Sequence, residues 1–249
     1  MRRSVIAGNW KMHMTNSEAI ALVKELVPKV KDAQNVDVIV CPPFTALSDV
    51  SKVTKGTNIK LGAQDMSMED KGAFTGEISP LMLKELGVKY ILCGHSERRK
   101  YFHETNERVN RKIRAALQHE MTPVLCVGER YEERESGKTL EIIEYQILTG
   151  LYDVDNKDCS KIIVAYEPLW AIGTGTPATP DQIEEVHKHI RKVLCDKYKA
   201  CLDIMILYGG SVKPDNIKEL MAKDDVDGAL VGGASLKPES FAGIVNFKS

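Results

Sequence analysis

The chain has 249 residues, 43% of them hydrophobic, and its 34 Lys plus Arg against 35 Asp plus Glu leave a net charge of −1. That composition supports a sizeable core and excludes a predominantly disordered chain. The near-neutral charge is not the footprint of a general nucleic-acid binder. No apolar run approaches the ~18 residues of a membrane span, and the stretch after Arg2 and Arg3 is too short for a signal peptide. A cytoplasmic protein without nucleic-acid or membrane partners is expected.

Short Val- and Ile-rich runs recur along the chain at Val5–Gly8, Val36–Cys41, Ile59–Ala63, Tyr90–Cys93, Pro123–Val127, Ile162–Tyr166, Ile204–Tyr208 and Gly228–Val231. Each is bounded by turn-forming residues and reads as a buried strand. Charged segments with helical spacing lie between them. Ser17–Val30 places Ile20, Val23, Leu26, Val27 and Val30 on one face, and Asp181–Tyr198 does the same with Ile183, Val186, Ile190, Val193 and Leu194. Ser96 and Thr179 stand where helix N-caps are expected, and Tyr131–Gly150 reads as one charged outer helix. Eight strands alternating with helices predict parallel pairing through right-handed crossovers. At this length a single α/β domain over residues 1–249, an eight-stranded closed (β/α)8 barrel, is the economical solution. A doubly wound open sheet is the alternative, but Gly173-Thr174-Gly175-Thr176-Pro177-Ala178 lacks the third glycine of a dinucleotide fingerprint.

The six cysteines form no Cys-x-x-Cys pair, and Cys41, Cys93, Cys126 and Cys195 lie in or beside apolar runs. They are expected to be reduced thiols rather than disulfides or metal ligands. His187 and His189, two apart on a helix, face different directions and read as a solvated surface. No carboxylate set has metal-ligand spacing, so neither metal nor cofactor is expected.

A parallel barrel builds its site from the loops after the strands' C-terminal ends. Asn9 and Lys11 follow the first strand, His95, Ser96 and Glu97 the fourth, and Glu167 the sixth. Gly209-Gly210-Ser211 follow the seventh, and Gly232-Gly233 the eighth. Taken singly, each has a bland reading as a turn residue, a strand end or a solvated charge. Together they supply one carboxylate, one imidazole, one cation and paired glycines whose N–H groups suit an anion. That set fits proton abstraction beside a carbonyl in a small phosphorylated substrate, with Glu167 as base and His95 and Lys11 stabilising the enediolate oxygen. Ala171–Gly175 has the composition of a closing lid. A barrel for a larger sugar phosphate would be expected to use paired carboxylates, metal ligands or a second phosphate cradle, and none is found; a binding barrel without catalysis predicts a broken catalytic set, yet Lys11, His95 and Glu167 are all present.

Six blocks, running from residue 7 to residue 236, resemble the triosephosphate isomerase family. They are Ala7–Met12, Gly72–Ser79, Gly94–Arg99, Ala165–Gly175, Tyr208–Val212 and Gly228–Leu236. The resemblance implies a TIM barrel that interconverts dihydroxyacetone phosphate and D-glyceraldehyde 3-phosphate in glycolysis and gluconeogenesis. It implies Glu167 as base, a neutral His95 as electrophile, Lys11 and Asn9 on substrate oxygens, and Glu97 paired with Lys11. Gly173, Ser211, Gly232 and Gly233 would hold the phosphate. Pro168, Leu169, Trp170, Ala171, Ile172, Thr174 and Gly175 would form the lid, with Ile172 and Leu230 shielding Glu167 from water. A homodimer is implied, made through the 64–79 loop with Thr75 reaching the partner. Three positions depart from the family's usual residues. Leu169 stands for Val, Thr176-Pro177-Ala178 for Lys-Thr-Ala, and Asp65 for Asn. Pro177 fixes φ and removes an N–H in the second lid hinge, while Asp65 is expected to add charge near Lys11 or the subunit interface.

Overall fold

The computed structural model describes residues 2–172 and 178–248. Eight parallel strands form a closed ring in chain order. They are β1 (Ser4–Asn9), β2 (Val36–Cys41), β3 (Ile59–Ala63), β4 (Tyr90–Cys93), β5 (Thr122–Val127), β6 (Ile163–Tyr166), β7 (Met205–Tyr208) and β8 (Gly228–Val231). The ring closes by pairing Val5 with Gly228, Ile6 with Ala229, Ala7 with Leu230 and Gly8 with Val231. The predicted strands are all present, and their ends move by one residue at most.

Helices surround the ring: α1 (Asn16–Val30), α2 (Phe44–Thr54), α3 (Pro80–Glu85), α4 (Ser96–Tyr101), α5 (Asn106–Gln118), α6 (Tyr131–Glu135), α7 (Thr139–Gly150), α8 (Pro180–Lys197), α9 (Ile217–Leu220) and α10 (Pro238–Val245). Side chains alternate along each strand, which divides the core in two. Val5, Ala7, Ile39, Leu92, Val124 and Leu207 fill the barrel. Ile6, Val38, Val40, Ile91, Leu125 and Val164 face the helices, where Leu22, Leu26, Ile113, Ile147 and Ile190 meet them.

Thr179 caps α8 as expected, its hydroxyl accepting from Gln182 N–H while the Gln182 side chain accepts from Thr179 N–H at 2.9 Å. Four expectations need correction. The cap of α4 is His95, not Ser96, because the His95 ring accepts the Glu97 N–H at 3.2 Å. The segment Tyr131–Gly150 is two helices, since Gly137 takes a left-handed φ of +69° and the chain turns there. His187 is fully buried rather than solvated, whereas Lys188 is exposed and His189 lies in between. Cys195 and Cys201 form a disulfide, because the last turn of α8 and the following 3-10 turn bring their Cα atoms to 4.8 Å. Cys41, Cys93, Cys126 and Cys159 are free and buried.

Candidate active site

Strand ends deliver the polar groups to one rim. A cavity of about 650 Å³ there is lined by Asn9, Lys11, His95, Glu167, Ile172, Ser211, Leu230, Gly232 and Gly233, among others. Trp170 and Ala171 stand in a 3-10 turn that leads to Ile172, and Pro168 precedes that turn. Gly173, Thr174, Gly175, Thr176 and Pro177 lie outside the described residues.

Lys11 carries a left-handed φ of +53°, which costs free energy in a non-glycine residue. Two contacts hold it there. Its N–H donates to the Asn9 side chain at 3.0 Å, and its carbonyl accepts from the Gln64 amide at 2.8 Å. Gln64 also reaches the Cys41 carbonyl at 2.9 Å, so the exits of three neighbouring strands are tied together. The Lys11 ammonium meets Glu97 at 2.6 Å.

Glu167 is nearly inaccessible, at 2% exposure, yet doubly hydrogen-bonded. One carboxylate oxygen accepts the Ser96 N–H at 2.9 Å, and the other lies 2.9 Å from His95 Nε2. Glycines let the backbone carry it this close to its neighbours. A Cβ on Gly128 would stand 1.8 Å from the Glu167 carbonyl oxygen, and one on Gly209 would stand 2.8 Å from the Glu167 side chain. Because His95 Nδ1 accepts from Glu97 N–H, the ring proton belongs on Nε2, facing Glu167.

Opposing forces set the protonation of this pair. Burial pushes the His95 pKa down, but the Glu167 carboxylate outweighs it and the net shift is upward. Burial pushes Glu167 up, but His95 and the Ser96 N–H outweigh it and the net shift is downward. Each group therefore opposes the shift that burial alone would give the other.

Sequence reasoning passed over the exit of β5. Glu129 is fully buried there and accepts from Trp170 Nε1 at 2.8 Å and from Tyr166 OH at 3.1 Å, while Arg134 stacks over the Trp170 ring at 4.7 Å. The same rule of looking beyond each strand's C-terminal end finds both Gln64 and Glu129. Asp65 does not face Lys11. Its carboxylate meets Lys112 at 2.6 Å and Arg98 at 2.8 Å, and Glu104, also paired with Lys112, accepts the Gly94 N–H at 3.1 Å. Thr75 is exposed in the loop after β3. Among the described residues no group of three or more His, Cys, Asp or Glu could hold a metal ion.

The triosephosphate isomerase family model matches residues 4–248. The triosephosphate isomerase of Thermoanaerobacter sp. (strain X514) is 58% identical over 250 residues, covering 99% of this chain and all of that protein. Those of Clostridium tetani and Fusobacterium nucleatum are 52% and 51% identical, each match covering 98% or more of both proteins. With the barrel, the strand-end constellation and matches along its whole length, the chain belongs to the triosephosphate isomerase family.

Proposed function

We propose that residues 1–249 form one catalytic domain that interconverts dihydroxyacetone phosphate and D-glyceraldehyde 3-phosphate through an enediolate. The observation that carries the reading is Glu167, a buried carboxylate held at 2.9 Å by two donors, on the same cavity as Lys11 and His95. The phosphate sits against Ser211, Gly232 and Gly233, and Gly173 of the lid completes its cradle. Asn9 and the Lys11 ammonium contact the substrate oxygens.

Glu167 must leave Ser96 N–H and His95 before it can face a carbon acid. That departure changes both pKa values in the useful direction. Without its two donors, the buried carboxylate keeps the upward push of desolvation against only the Lys11 charge, and becomes the stronger base. Without the carboxylate, His95 keeps the downward push of burial, and Glu97 N–H still occupies Nδ1. A neutral imidazole then donates Nε2–H to the carbonyl oxygen.

Glu167 takes a proton from C1 of the ketose, and the electron pair moves onto the carbonyl oxygen. Lys11 and His95 stabilise that oxygen as charge develops. His95 relays the hydroxyl proton between the two oxygens, and Glu167 returns the carbon-bound proton to C2. Ile172 from the lid and Leu230 from β8 keep water from the carboxylate, while Pro168, Leu169, Trp170, Ala171, Thr174 and Gly175 let the lid close.

The working form in this reading is a homodimer in the cytoplasm, joined through residues 64–79 with Thr75 reaching the partner's site. Exposed apolar residues support it: Met12, Phe44, Phe74, Tyr101 and Phe102 follow the first four strands, and Met82 lies in α3. The test is Glu167→Gln. Isomerisation should fall by about 10²- to 10⁴-fold with inorganic phosphate affinity changed little, and full activity would overturn the assignment.

A further inference from the structure

A second cavity, of about 1120 Å³, lies between the segment that follows β4 and the helices α6 and α7. Glu167 lines both cavities, whereas Asn9, Lys11 and His95 line only the first and Ser96 only the second. The two therefore meet at the catalytic carboxylate. Nothing in the isomerisation proposed above uses the second one.

Arg99 lines this second cavity, and only neutral groups answer its charge. Its Nε–H donates to the Gly94 carbonyl at 2.7 Å, Nη1 to the Asn106 side-chain oxygen at 2.6 Å and Nη2 to the Cys126 carbonyl at 3.1 Å. A guanidinium has five N–H groups. Two of them have no acceptor among the described residues, and no carboxylate pairs with Arg99 there. Burial holds its pKa below the usual guanidinium value. Because the group is planar, two free N–H groups match the two oxygens of one carboxylate.

The other walls select the rest of a ligand. Ile142, Leu169 and Trp170 offer apolar surface, and the exposed rings of Tyr131 and Tyr145 border it. Glu132 and Glu133 line the same cavity, so a dianion would meet twice the repulsion that a monoanion meets. That disfavours a phosphate ester and favours a carboxylate on a flat apolar body.

We propose that this cavity is a second ligand site, which takes a flat carboxylate monoanion on Arg99 and acts on the catalytic rim through Leu169 and Trp170. Those two residues begin the 3-10 turn at the stem of the lid, so an occupant packed on them opposes closure. Arg99 adds a second link, since it holds the carbonyl of Gly94, the residue before His95. Binding at this site is independent of the isomerase reading, and its effect on turnover rests on that reading.

The probe is benzoate, with neutral benzamide as its control, titrated calorimetrically into the unmodified protein, Arg99→Gln and Tyr145→Glu. Benzoate should bind with a Kd on the order of 1 mM, with or without saturating inorganic phosphate, and benzamide should not bind. Arg99→Gln should weaken binding about tenfold. Tyr145→Glu adds a repelling charge at an exposed position outside the catalytic machinery. It should weaken benzoate several-fold while turnover without benzoate is unchanged, and it decides the matter if Arg99→Gln fails to fold. With glyceraldehyde 3-phosphate, saturating benzoate should lower kcat roughly twofold or more at little-changed KM. Absence of binding, displacement by phosphate, or equal affinity in Tyr145→Glu would each overturn the proposal. A full site that leaves kcat unchanged, or inhibition relieved by substrate, would do the same. No turnover by the unmodified protein would instead mark failure of the isomerase reading, and the binding measurements would still decide the site.

Discussion

Acid should destabilise this protein through one residue that takes no part in its chemistry. His187 is fully buried on α8, its ring 5.9 Å from Tyr166 in an edge-on arrangement, and its Nδ1 lies 3.0 Å from the Asp225 carbonyl. Nδ1–H therefore donates to that carbonyl and Nε2 is left bare, with no hydrogen-bond partner among the described residues. Protonation would bury a second N–H with nothing to accept it. Burial accordingly pushes the pKa down from 6.5 to about 4. The unfolded chain takes up this proton near pH 6.5 while the folded chain resists until about pH 4, so unfolding binds a proton throughout that window. Stability from neutral His187 is full above pH 6.5, falls as pH drops, and is gone below pH 4. At 1.36 kcal/mol per unit the loss amounts to about 3 kcal/mol. Urea unfolding of the unmodified protein and of His187→Gln, at fixed protein concentration between pH 4 and pH 7.5, measures it. Carboxylates that also lose stability in acid are common to both proteins and cancel in the difference. Parallel curves, or a His187 resonance that titrates near pH 6.5, would refute the reasoning.

Three other perturbations have definite outcomes. Reducing the Cys195–Cys201 bond opens a short loop of sequence separation 6, and on the chain-entropy account it should cost about 2 kcal/mol and lower Tm by roughly 5 °C. Turnover at 25 °C should be unaffected, because the bond lies at the end of the barrel opposite the catalytic rim. A Cys195→Ser, Cys201→Ser protein that melts where the oxidised one does would contradict this. Gly128→Ala places a methyl carbon 1.8 Å from the Glu167 carbonyl oxygen. The Glu167 backbone must shift, and kcat should fall at least about tenfold in protein that is still folded by circular dichroism. Deleting residues 68–76 should yield monomer by analytical ultracentrifugation, with lower stability, and an intact dimer would refute the assigned role of that loop.

Strands were legible in the sequence because a strand buried on both faces needs an unbroken Val and Ile run, and few other segments supply one. The rim was legible because Asn9, Lys11, His95 and Glu167 follow such runs directly. What escaped depended on distance through space. Nothing local says that Cys195 and Cys201 meet, since their proximity is made by the turn after α8. His187 sits among charges in a helix whose neighbours Lys188 and Glu185 are exposed, so its burial is visible only once Tyr166 and Asp225 pack on it. His95 was passed over as a cap because imidazole is not among the usual capping groups. The break at Gly137 could have been read from Ser136-Gly137, a turn pair within an otherwise helical pattern.

The seam between β1 and β8 bears on how the molecule is made. Val5–Gly8 pairs with Gly228–Val231, residues from opposite ends of the chain. Gly228 is required there, since a Cβ would fall 1.8 Å from the Val5 carbonyl oxygen. Arg2 pairs with Asp227 beside the seam, and the Asn246 side chain donates to the Lys29 carbonyl at 3.0 Å on the outer layer. Synthesis makes β1 before the other seven strands and β8 after them. Until β8 is made, one edge of β1 has unmade hydrogen bonds, open to any other strand that approaches. Chains truncated before residue 228 keep that edge for good. Arrival of β8 converts an aggregation-prone open sheet into a ring without edges, and makes the last strand of the barrel the one that protects the fold.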